Sequence, residues 1–262
     1  FDTETGKIVA IKCLKTKESI ESFQSELDLL KRLHHTAIVP YLDSFYDKKG
    51  LEIVMEYADN GSILDVIHTY GSLNENVAAI YISQVLQGLS YLHKQNVIHR
   101  DIKAANILVQ AGVAKLADFG LALDLNEYGH TLRECAGTPY WMAPECINGD
   151  PVNHKCDIWS VGSTTIELLT GHPPLFDLAP MPAMFQIAGE RPMPIPKNVS
   201  DKCKNFLLSC FKKNPKRRPE AEELLKHQWI TQALQVMKSA HELSTMKHKK
   251  KSHDYKSLSI CL

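Results

Sequence analysis

The sequence predicts an α+β protein of two lobes, a small lobe rich in β-strands followed by a large helical lobe. Residues 1–57 contain period-two alternation of apolar and polar side chains, which is typical of half-buried strands. Residues 62–230 instead carry apolar side chains mostly at helical spacing. The 262 residues, of which 44% are hydrophobic and 23% charged, suffice for one large domain or two modest lobes. The stretch 56–61 is the predicted hinge between the lobes.

Three strands and one helix are predicted in the first lobe. The segment KIVAIKCL alternates and places Ala10 and Lys12 on one face of a strand. The segments YLDSFYD and LEIVMEY indicate a hairpin that turns at residues 48–50. Between the first strand and this hairpin, SIESFQSELDLLKRLHH predicts a helix with Ser19 as its N-cap. Its apolar side chains recur at helical spacing, at Ile20, Phe23, Leu27 and Leu30.

The second lobe is predicted to be built from helices. The segment CDIWSVGSTTIELLTG is apolar almost all round, as expected of a helix at the centre of a lobe. Further helices are predicted near 200–212 and 219–227. Residues 231–262 are predicted to be a basic, flexible tail, although its lysine run could contact anionic lipid or nucleic acid. The segment NVAAIYISQVLQGLSYLHK places one apolar stripe on a helix, at Ala78, Ile82, Val85, Leu89 and Leu92.

Composition excludes several classes of protein. The formal net charge is +0 and the pI is about 7.3, so no global field favours nucleic acid, and no specific nucleic-acid partner is expected. The seven cysteines are odd in number and form no CxxC, which argues against a zinc site or a disulfide framework. No signal peptide or membrane-spanning apolar run is found, so we expect a cytoplasmic protein. The oligomeric state is not indicated.

A polar cluster interrupts an apolar stretch of the second lobe. The segment VIHRDIKAANIL sets Asp101, Lys103 and Asn106 among isoleucine, valine and leucine. Charged groups avoid apolar surroundings unless they are paired or functional. A polar turn between two strands is the simpler interpretation, but a turn does not require this particular order of residues.

Four separated motifs occur in one order along the chain. They are VAIK at 9–12, HRDIKAANIL at 99–108, DFG at 118–120 and APE at 143–145. This set resembles the protein-kinase signature, and the resemblance covers residues 1–230. It implies the bilobal protein-kinase fold and phosphoryl transfer from ATP with Mg²⁺. Such chemistry needs a base, cations and metal ligands around one phosphate.

The resemblance assigns the reacting groups. It implies that Asp101 accepts or orients the proton of the substrate hydroxyl, and that Lys103 neutralises charge on the transferred γ-phosphate. Thr138 would contact both of these side chains. Asn106 and Asp118 would hold Mg²⁺ through oxygen atoms, as a hard cation prefers.

The nucleotide contacts are likewise implied by the resemblance. Lys12 would bind the α- and β-phosphates and pair with Glu26; the alternatives are a surface lysine and a solvent-facing glutamate. Glu26 lies beside the apolar stripe of its helix, which favours the inward placement. The remaining positions would surround adenine: Ala10, the gatekeeper Met55, the backbone groups of Glu56 and Ala58, and Leu108 as the floor.

Supporting contacts follow from the same resemblance. His99 is expected to be structural and to pack against Phe119 rather than to act as a base. Glu145 is expected to pair with Arg218, and Asp157 to anchor the segment that carries Asp101.

The details of the motifs narrow the family. Lys103, two residues after Asp101, together with GTPYWMAPE implies serine/threonine rather than tyrosine specificity. GTPYWMAPE and HRDIKAANIL resemble the STE group, and residues 173–196 resemble the family of the fission-yeast septation-initiation kinase and the plant epsilon-type MAP kinase kinase kinases. The implied partner is a protein substrate, for which a downstream kinase is one candidate.

Two departures from the family pattern are found. The glycine-rich loop, G-x-G-x-x-G, is absent and would lie upstream of Phe1 in the family. We therefore expect a truncated kinase, with a non-catalytic binding module of the same fold as the alternative. Glu134 stands where relatives often carry a phosphorylated residue, either as an ordinary exposed glutamate or as a fixed negative charge. Arg100 and Lys115 are candidates to receive that charge, and Thr131 is a candidate for phosphorylation.

Overall fold

A three-stranded antiparallel sheet and one helix form the first lobe. The computed structural model describes residues 3, 6–15, 20–47, 50–128, 135–240 and 242. The first lobe contains β1 (Val9–Lys15), α1 (Ile20–Arg32), β2 (Tyr41–Asp47) and β3 (Gly50–Glu56). All four elements confirm the prediction. The predicted N-cap Ser19 and residues 48–49 of the turn lie outside the described part of the chain.

The central strand of this sheet is β3, with β1 on one side and β2 on the other. Within the described residues β1 pairs with β3 alone. The register sets Ala10 opposite Met55 and Lys12 opposite the fully buried Ile53. Lys12 therefore lies on β1 level with the core of the lobe.

Helix α1 buries one face. Leu27 and Leu30, and Leu33 just after the helix, are at most 5% exposed and recur at the spacing of one helical face. Glu26 is also buried, although a buried carboxylate is costly without a partner. The side chains of Ile20 and Phe23 are not among those described.

Two long helices run through the second lobe, as predicted. They are α3, which follows the short α2 (Ile63–Tyr70) and spans Glu75–Lys94, and α6 (Lys155–Thr170), whose residues 156–168 are buried. The Asn74 side chain caps α3 by accepting a hydrogen bond from the Val77 amide at 3.0 Å. The predicted stripe of α3 is at most 1% exposed at every position: Ala78, Ile82, Val85, Leu89 and Leu92.

Two short strand pairs bring the motif segments together. β4 (Val97–Ile98) pairs with β7 (Leu123–Asp124), and β5 (Ile107–Gln110) pairs with β6 (Val113–Leu116). The polar segment 99–106 connects β4 to β5, and the segment 117–122 connects β6 to β7. Because the pairs are antiparallel, the two connecting segments start and end side by side.

The remaining helices complete the second lobe. The two helices predicted near 200–212 and 219–227 are present, whereas the short helices before them were not predicted. None of the described helices combines the length and the apolar character needed to cross a bilayer. These elements are α4 (Leu125–Tyr128), α5 (Pro144–Asn148), α7 (Pro180–Ala188), α8 (Asp201–Cys210) and α9 (Ala221–Leu225).

Helical structure continues beyond residue 230. Residues 228–240 are helical, and Ala233 is only 1% exposed. Leu234 packs against the core as well. The flexible tail predicted from residue 231 is therefore wrong for 231–240, since these apolar side chains hold the segment on the lobe. Apart from residue 242, the rest of the tail lies outside the described residues.

Candidate active site

A cavity of about 380 Å³ lies between the two lobes. It takes side chains from β1, α1 and β3 on one side and from the segments around β5 and β6 on the other. Glu56 and Ala58, which the resemblance places at adenine, are not among its lining residues. The lining consists of Ala10, Ile11, Lys12, Glu26, Leu30, Val39, Met55, Ala105, Asn106, Leu108, Ala117, Asp118 and Phe119.

Lys12 joins two carboxylates at this cavity. Its Nζ lies 2.6 Å from Glu26 Oε1 and 3.0 Å from Asp118 Oδ1. The side chain of Glu26 is 4% exposed, whereas that of Asp118 is 53% exposed. Neither alternative for the pair, a surface lysine or a solvent-facing glutamate, describes this arrangement. The half-exposed Asp118 remains open to a ligand in the cavity.

The charges of this group stabilise one another. Burial lowers the pKa of Lys12, but the hydrogen bond and charge of Glu26, aided by Asp118, raise it above its ordinary value. Burial likewise raises the pKa of Asp118, but Lys12 and the Gly120 amide outweigh burial and lower it. Lys12 and Asp118 are therefore both charged at neutral pH. Asp118 also has a left-handed backbone, with φ +60°.

Asp101 lies in a dense hydrogen-bonded cluster next to the cavity. Lys103 Nζ donates to Asp101 Oδ2 at 2.8 Å and to Thr138 Oγ1 at 2.7 Å. Thr138 Oγ1 in turn donates to Asp101 Oδ1 at 2.6 Å. The predicted contacts of Thr138 with both side chains are thus present. The Thr138 hydroxyl thus occupies the position at which the Asp101 carboxylate could accept a proton from a hydroxyl group.

Asn106 connects this cluster to the cavity wall. Its Nδ2 donates to Asp101 Oδ2 at 2.7 Å and to the Asp101 carbonyl at 2.9 Å. With its nitrogen used in this way, the carbonyl oxygen is the atom of Asn106 that remains for a metal ion. Asn106 and Asp118 both line the cavity and both offer oxygen atoms, which suits a hard cation such as Mg²⁺.

Asp157 of α6 anchors the backbone around Asp101. Asp157 is fully buried, and its carboxylate accepts from the amides of His99 at 3.0 Å and Arg100 at 2.8 Å. It also bonds His93 Nε2 at 2.9 Å. Burial acts to raise the pKa of Asp157, but His93 and the His99 contacts lower it, so Asp157 is ionised. The expected anchor is present.

His99 has the structural role expected of it. Its ring lies 5.0 Å from that of Phe119, and its Nε2 is 3.1 Å from the Ala117 carbonyl. Complete burial lowers the pKa of His99 despite the nearby carboxylates of Asp157 and Asp101. The ring is therefore neutral at physiological pH and serves to pack the two motif segments together.

The hinge is fixed to the sheet and to β5. The Glu56 amide donates to the Pro40 carbonyl at 3.1 Å, and the Val109 amide donates to the Gly61 carbonyl at 2.8 Å. For Ala58 N, no backbone acceptor is found within the described residues. The adenine contacts of Glu56 and Ala58 remain predictions.

Lys115 contacts the hinge and β5. Its ammonium contacts the Glu56 carboxylate and lies 2.9 Å from Gln110 Oε1, so it serves the hinge. Its role as a receiver for the charge of Glu134 stays a prediction. Glu134 and Thr131 themselves lie outside the described residues.

A buried ion pair lies within the helical lobe. Both Arg218 nitrogens bond the Glu145 carboxylate, at 2.5 and 2.6 Å, and both residues are at most 5% exposed. The expected pairing is therefore present, in the bidentate geometry that arginine favours.

Sequence reasoning missed Glu167. Its Oε2 accepts from the Ala104 amide and from Trp141 Nε1, both at 3.0 Å, and the residue is 3% exposed. It thus joins the segment of Asp101 to the segment of Thr138. Burial raises the pKa of Glu167 to about 7, although Ala104, Trp141 and Lys103 act to lower it. The sequence signal that could have indicated this role is a single glutamate within an almost wholly apolar helix.

The fold and the charged groups together define a protein kinase. Two lobes enclose a cavity, a lysine–glutamate pair enters it from the β-rich lobe, and an aspartate–lysine–asparagine group borders it from the helical lobe.

Comparison with known proteins identifies the family. The protein kinase domain family model matches residues 1–230, and the chain belongs to this family. It is 47% identical over 260 residues to MAP3K epsilon protein kinase 1 of Arabidopsis thaliana, covering 96% of this chain and 19% of that protein. Cell division control protein 7 of Schizosaccharomyces pombe is 45% identical over 236 residues, 88% of this chain and 22% of that protein. A probable serine/threonine-protein kinase of Dictyostelium discoideum is 44% identical over 250 residues, 93% of this chain and 50% of that protein.

These relatives confirm the STE-like resemblance read from the motifs. The chain spans only about a fifth of the length of the epsilon-type relative.

Proposed function

We propose that this chain is the catalytic domain of a protein serine/threonine kinase, which transfers the γ-phosphate of Mg-ATP to a serine or threonine hydroxyl of a protein. The observation that carries the proposal is the hydrogen bond from Thr138 Oγ1 to Asp101, with Lys103 bonded to both. A hydroxyl, a carboxylate and a cation are thereby held within one set of hydrogen bonds. A substrate hydroxyl needs the same partners.

In this proposal each residue of the site has a separate role. Asp101 orients the substrate hydroxyl and accepts its proton, and Lys103 stabilises the charge of the transferred phosphoryl group. Lys12, fixed by Glu26, binds the nucleotide phosphates. Met55, Ala10 and Leu108 enclose adenine, and the backbone of Glu56 and Ala58 bonds its edge.

The donors present fit a magnesium ion. Asp118 is ionised and half-exposed at the cavity, and Asn106 retains its carbonyl oxygen. When bound, Mg²⁺ supplies charge neutralisation on the phosphates. Asp118 and Asn106 would hold it, while Lys12 keeps Asp118 charged and oriented.

The substrate class we propose is a downstream protein kinase, because a relative with 47% identity carries MAP3K in its name. The compartment we propose is the cytoplasm, since the six cysteines that the structure describes are free thiols. A non-catalytic binding module is not favoured, because it has no need for the Lys12–Glu26 pair or the Asp101 cluster.

Two substitutions test the proposal by acting on different steps. Asp101→Asn should lower phosphoryl transfer to a protein substrate by about 10²–10⁴-fold while leaving Mg-ATP affinity within about twofold. Asp118→Asn should weaken Mg-ATP binding as well as transfer. Both are measured by phosphate incorporation and calorimetry, in this chain and in a version with a glycine-rich strand pair of the kinase family added ahead of Phe1. Near-parental turnover of both variants would contradict the assignment.

A further inference from the structure

One ion pair connects α1 directly to the second lobe. Arg32, the last residue of α1, contacts the carboxylate of Asp124, the last residue of β7. The arginine side chain is 45% exposed and that of Asp124 only 4%. Neither residue lines the cavity or belongs to the motifs that carry the family resemblance. The nucleotide-binding role of the site does not explain this contact.

Asp124 is a firm anchor. Its Oδ1 accepts from the amide of Asn126 and from Asn126 Nδ2, both at 2.9 Å. Asn126 Oδ1 accepts from Asn96 Nδ2 at 2.9 Å, and the Leu125 amide donates to the Asn96 carbonyl at 2.9 Å. Asp124 also pairs with Val97, two residues before His99. The anchor therefore belongs to the same framework that holds Asp101.

The chain after α1 is already fixed to the second lobe. The His34 amide donates to Tyr91 Oη at 3.0 Å, and the His35 ring stacks on Tyr91 with centroids 5.0 Å apart. The Leu116 amide donates to the Ala37 carbonyl at 2.8 Å. This segment can act as a pivot, about which α1 could still rotate or swing. A side-chain contact from the end of α1 to a second point restricts both movements.

Glu26 and Arg32 are six residues apart on one helix, which corresponds to about 9 Å along its axis. Glu26 bonds Lys12 on the first lobe, and Arg32 bonds Asp124 on the second. A rotation of α1 that withdraws Glu26 from Lys12 moves Arg32 relative to Asp124 as well. The two ion pairs are therefore mechanically coupled through the helix.

We propose that Arg32 and Asp124 are positioning residues, whose ion pair ties α1 to the second lobe and thereby keeps Glu26 on Lys12. The pair lies at the C-terminal end of α1, where a cation is also favoured by the helix dipole. The low exposure of Asp124 protects the pair from the screening that weakens surface ion pairs. Its consequence for nucleotide binding rests on the function proposed above.

The test compares Arg32→Ala, Asp124→Asn, the double variant and the conservative Arg32→Lys. Arg32→Ala is expected to weaken Mg-ATP binding about five- to tenfold and to speed amide hydrogen exchange in residues 20–32. Asp124→Asn should have the same direction, and the double variant should be no worse than the stronger single one. Arg32→Lys, which keeps the charge, should remain within about threefold of the parent. Lys94→Ala, which breaks an exposed ion pair with Glu222, is the matched control and should change neither quantity.

Two results would overturn the proposal. One is parental exchange in residues 20–32 together with parental Mg-ATP affinity in Arg32→Ala. The other is full additivity of the two single substitutions, because independent side chains do not form one interaction. Absence of phosphoryl transfer in the parent would instead contradict the proposed function. The exchange measurement tests the ion pair in either case.

Discussion

The two halves of the candidate site are held in different ways. Asp101, Lys103 and Asn106 lie within six residues, and their backbone bonds the buried Asp157 beneath them. The Lys12–Glu26 pair instead joins two separate elements of the first lobe, and Lys12 is partly exposed. The helical-lobe half is therefore part of the folded core. We expect that the Lys12–Glu26 pair can be lost without unfolding the protein.

The largest effect is expected where the core itself supports the site. Asp157→Ala removes the acceptor of two backbone amides and of His93 in a fully buried position. Since each buried donor left without a partner costs about 1–3 kcal/mol, the two amides alone should lower the free energy of unfolding by about 2–6 kcal/mol. Urea unfolding measures it. The exposed Asp150→Ala is the control, and equal stability of the two variants would break the distinction between the halves.

A smaller effect on stability should depend on pH and arise in the same half. The pKa of Glu167 is about 7 in the fold and about 4.5 in the unfolded chain, so the folded state binds more protons between these values. The contribution of Glu167 to stability is therefore complete below about pH 4.5 and is lost as pH rises from there through 7. Glu167→Gln, which is never charged, should gain up to about 3 kcal/mol over the parent between pH 5 and pH 8.

Thermal and urea unfolding at several pH values follow this difference, with the exposed Glu190→Gln as control. A constant difference between Glu167→Gln and the parent across that pH range would show that Glu167 ionises normally.

The smallest effect should fall on binding alone. Glu26→Gln keeps the shape of the side chain but removes its charge from Lys12, so Mg-ATP affinity should fall by about tenfold. The midpoint of unfolding should stay within about 1 °C, because the pair is not part of the core of the helical lobe. Asp28→Asn, on the exposed face of the same helix, should change neither quantity. Loss of stability equal to that of Asp157→Ala would remove the contrast between the two halves.

Periodicity was enough to predict the main elements of the fold. The strands of the first lobe, α1, α3 and α6 all carry clear apolar patterns. The helix α2 was missed although Ser62 and Asp65 form a capping box, which is a local signal. The helix 228–240 was missed because polar side chains separate its few buried positions, such as Ala233.

The candidate site was predictable only where sequence order encodes it. The motifs indicated Asp101 and Asp118, whose segments lie side by side because β4 pairs with β7 and β5 with β6. They also indicated Lys12, which reaches Asp118 from β1. Contacts between distant residues leave no such pattern. Glu167 and the partner of Lys115 could be found only from the fold, since both depend on segments that approach from elsewhere in the chain.

The left-handed backbone of Asp118 determines which substitution tests the role of its charge alone. Aspartate and asparagine adopt a positive φ far more readily than alanine, because their short polar side chains tolerate it. Asp118→Asn therefore removes the charge with the backbone preference intact, whereas Asp118→Ala changes both at once. Arg100 also has a left-handed backbone, with φ +65°, and glycine at this position would remove the conformational strain. Mutational scans of this chain should accordingly rank asparagine and glycine as the best tolerated replacements at these two positions, whatever their effect on catalysis.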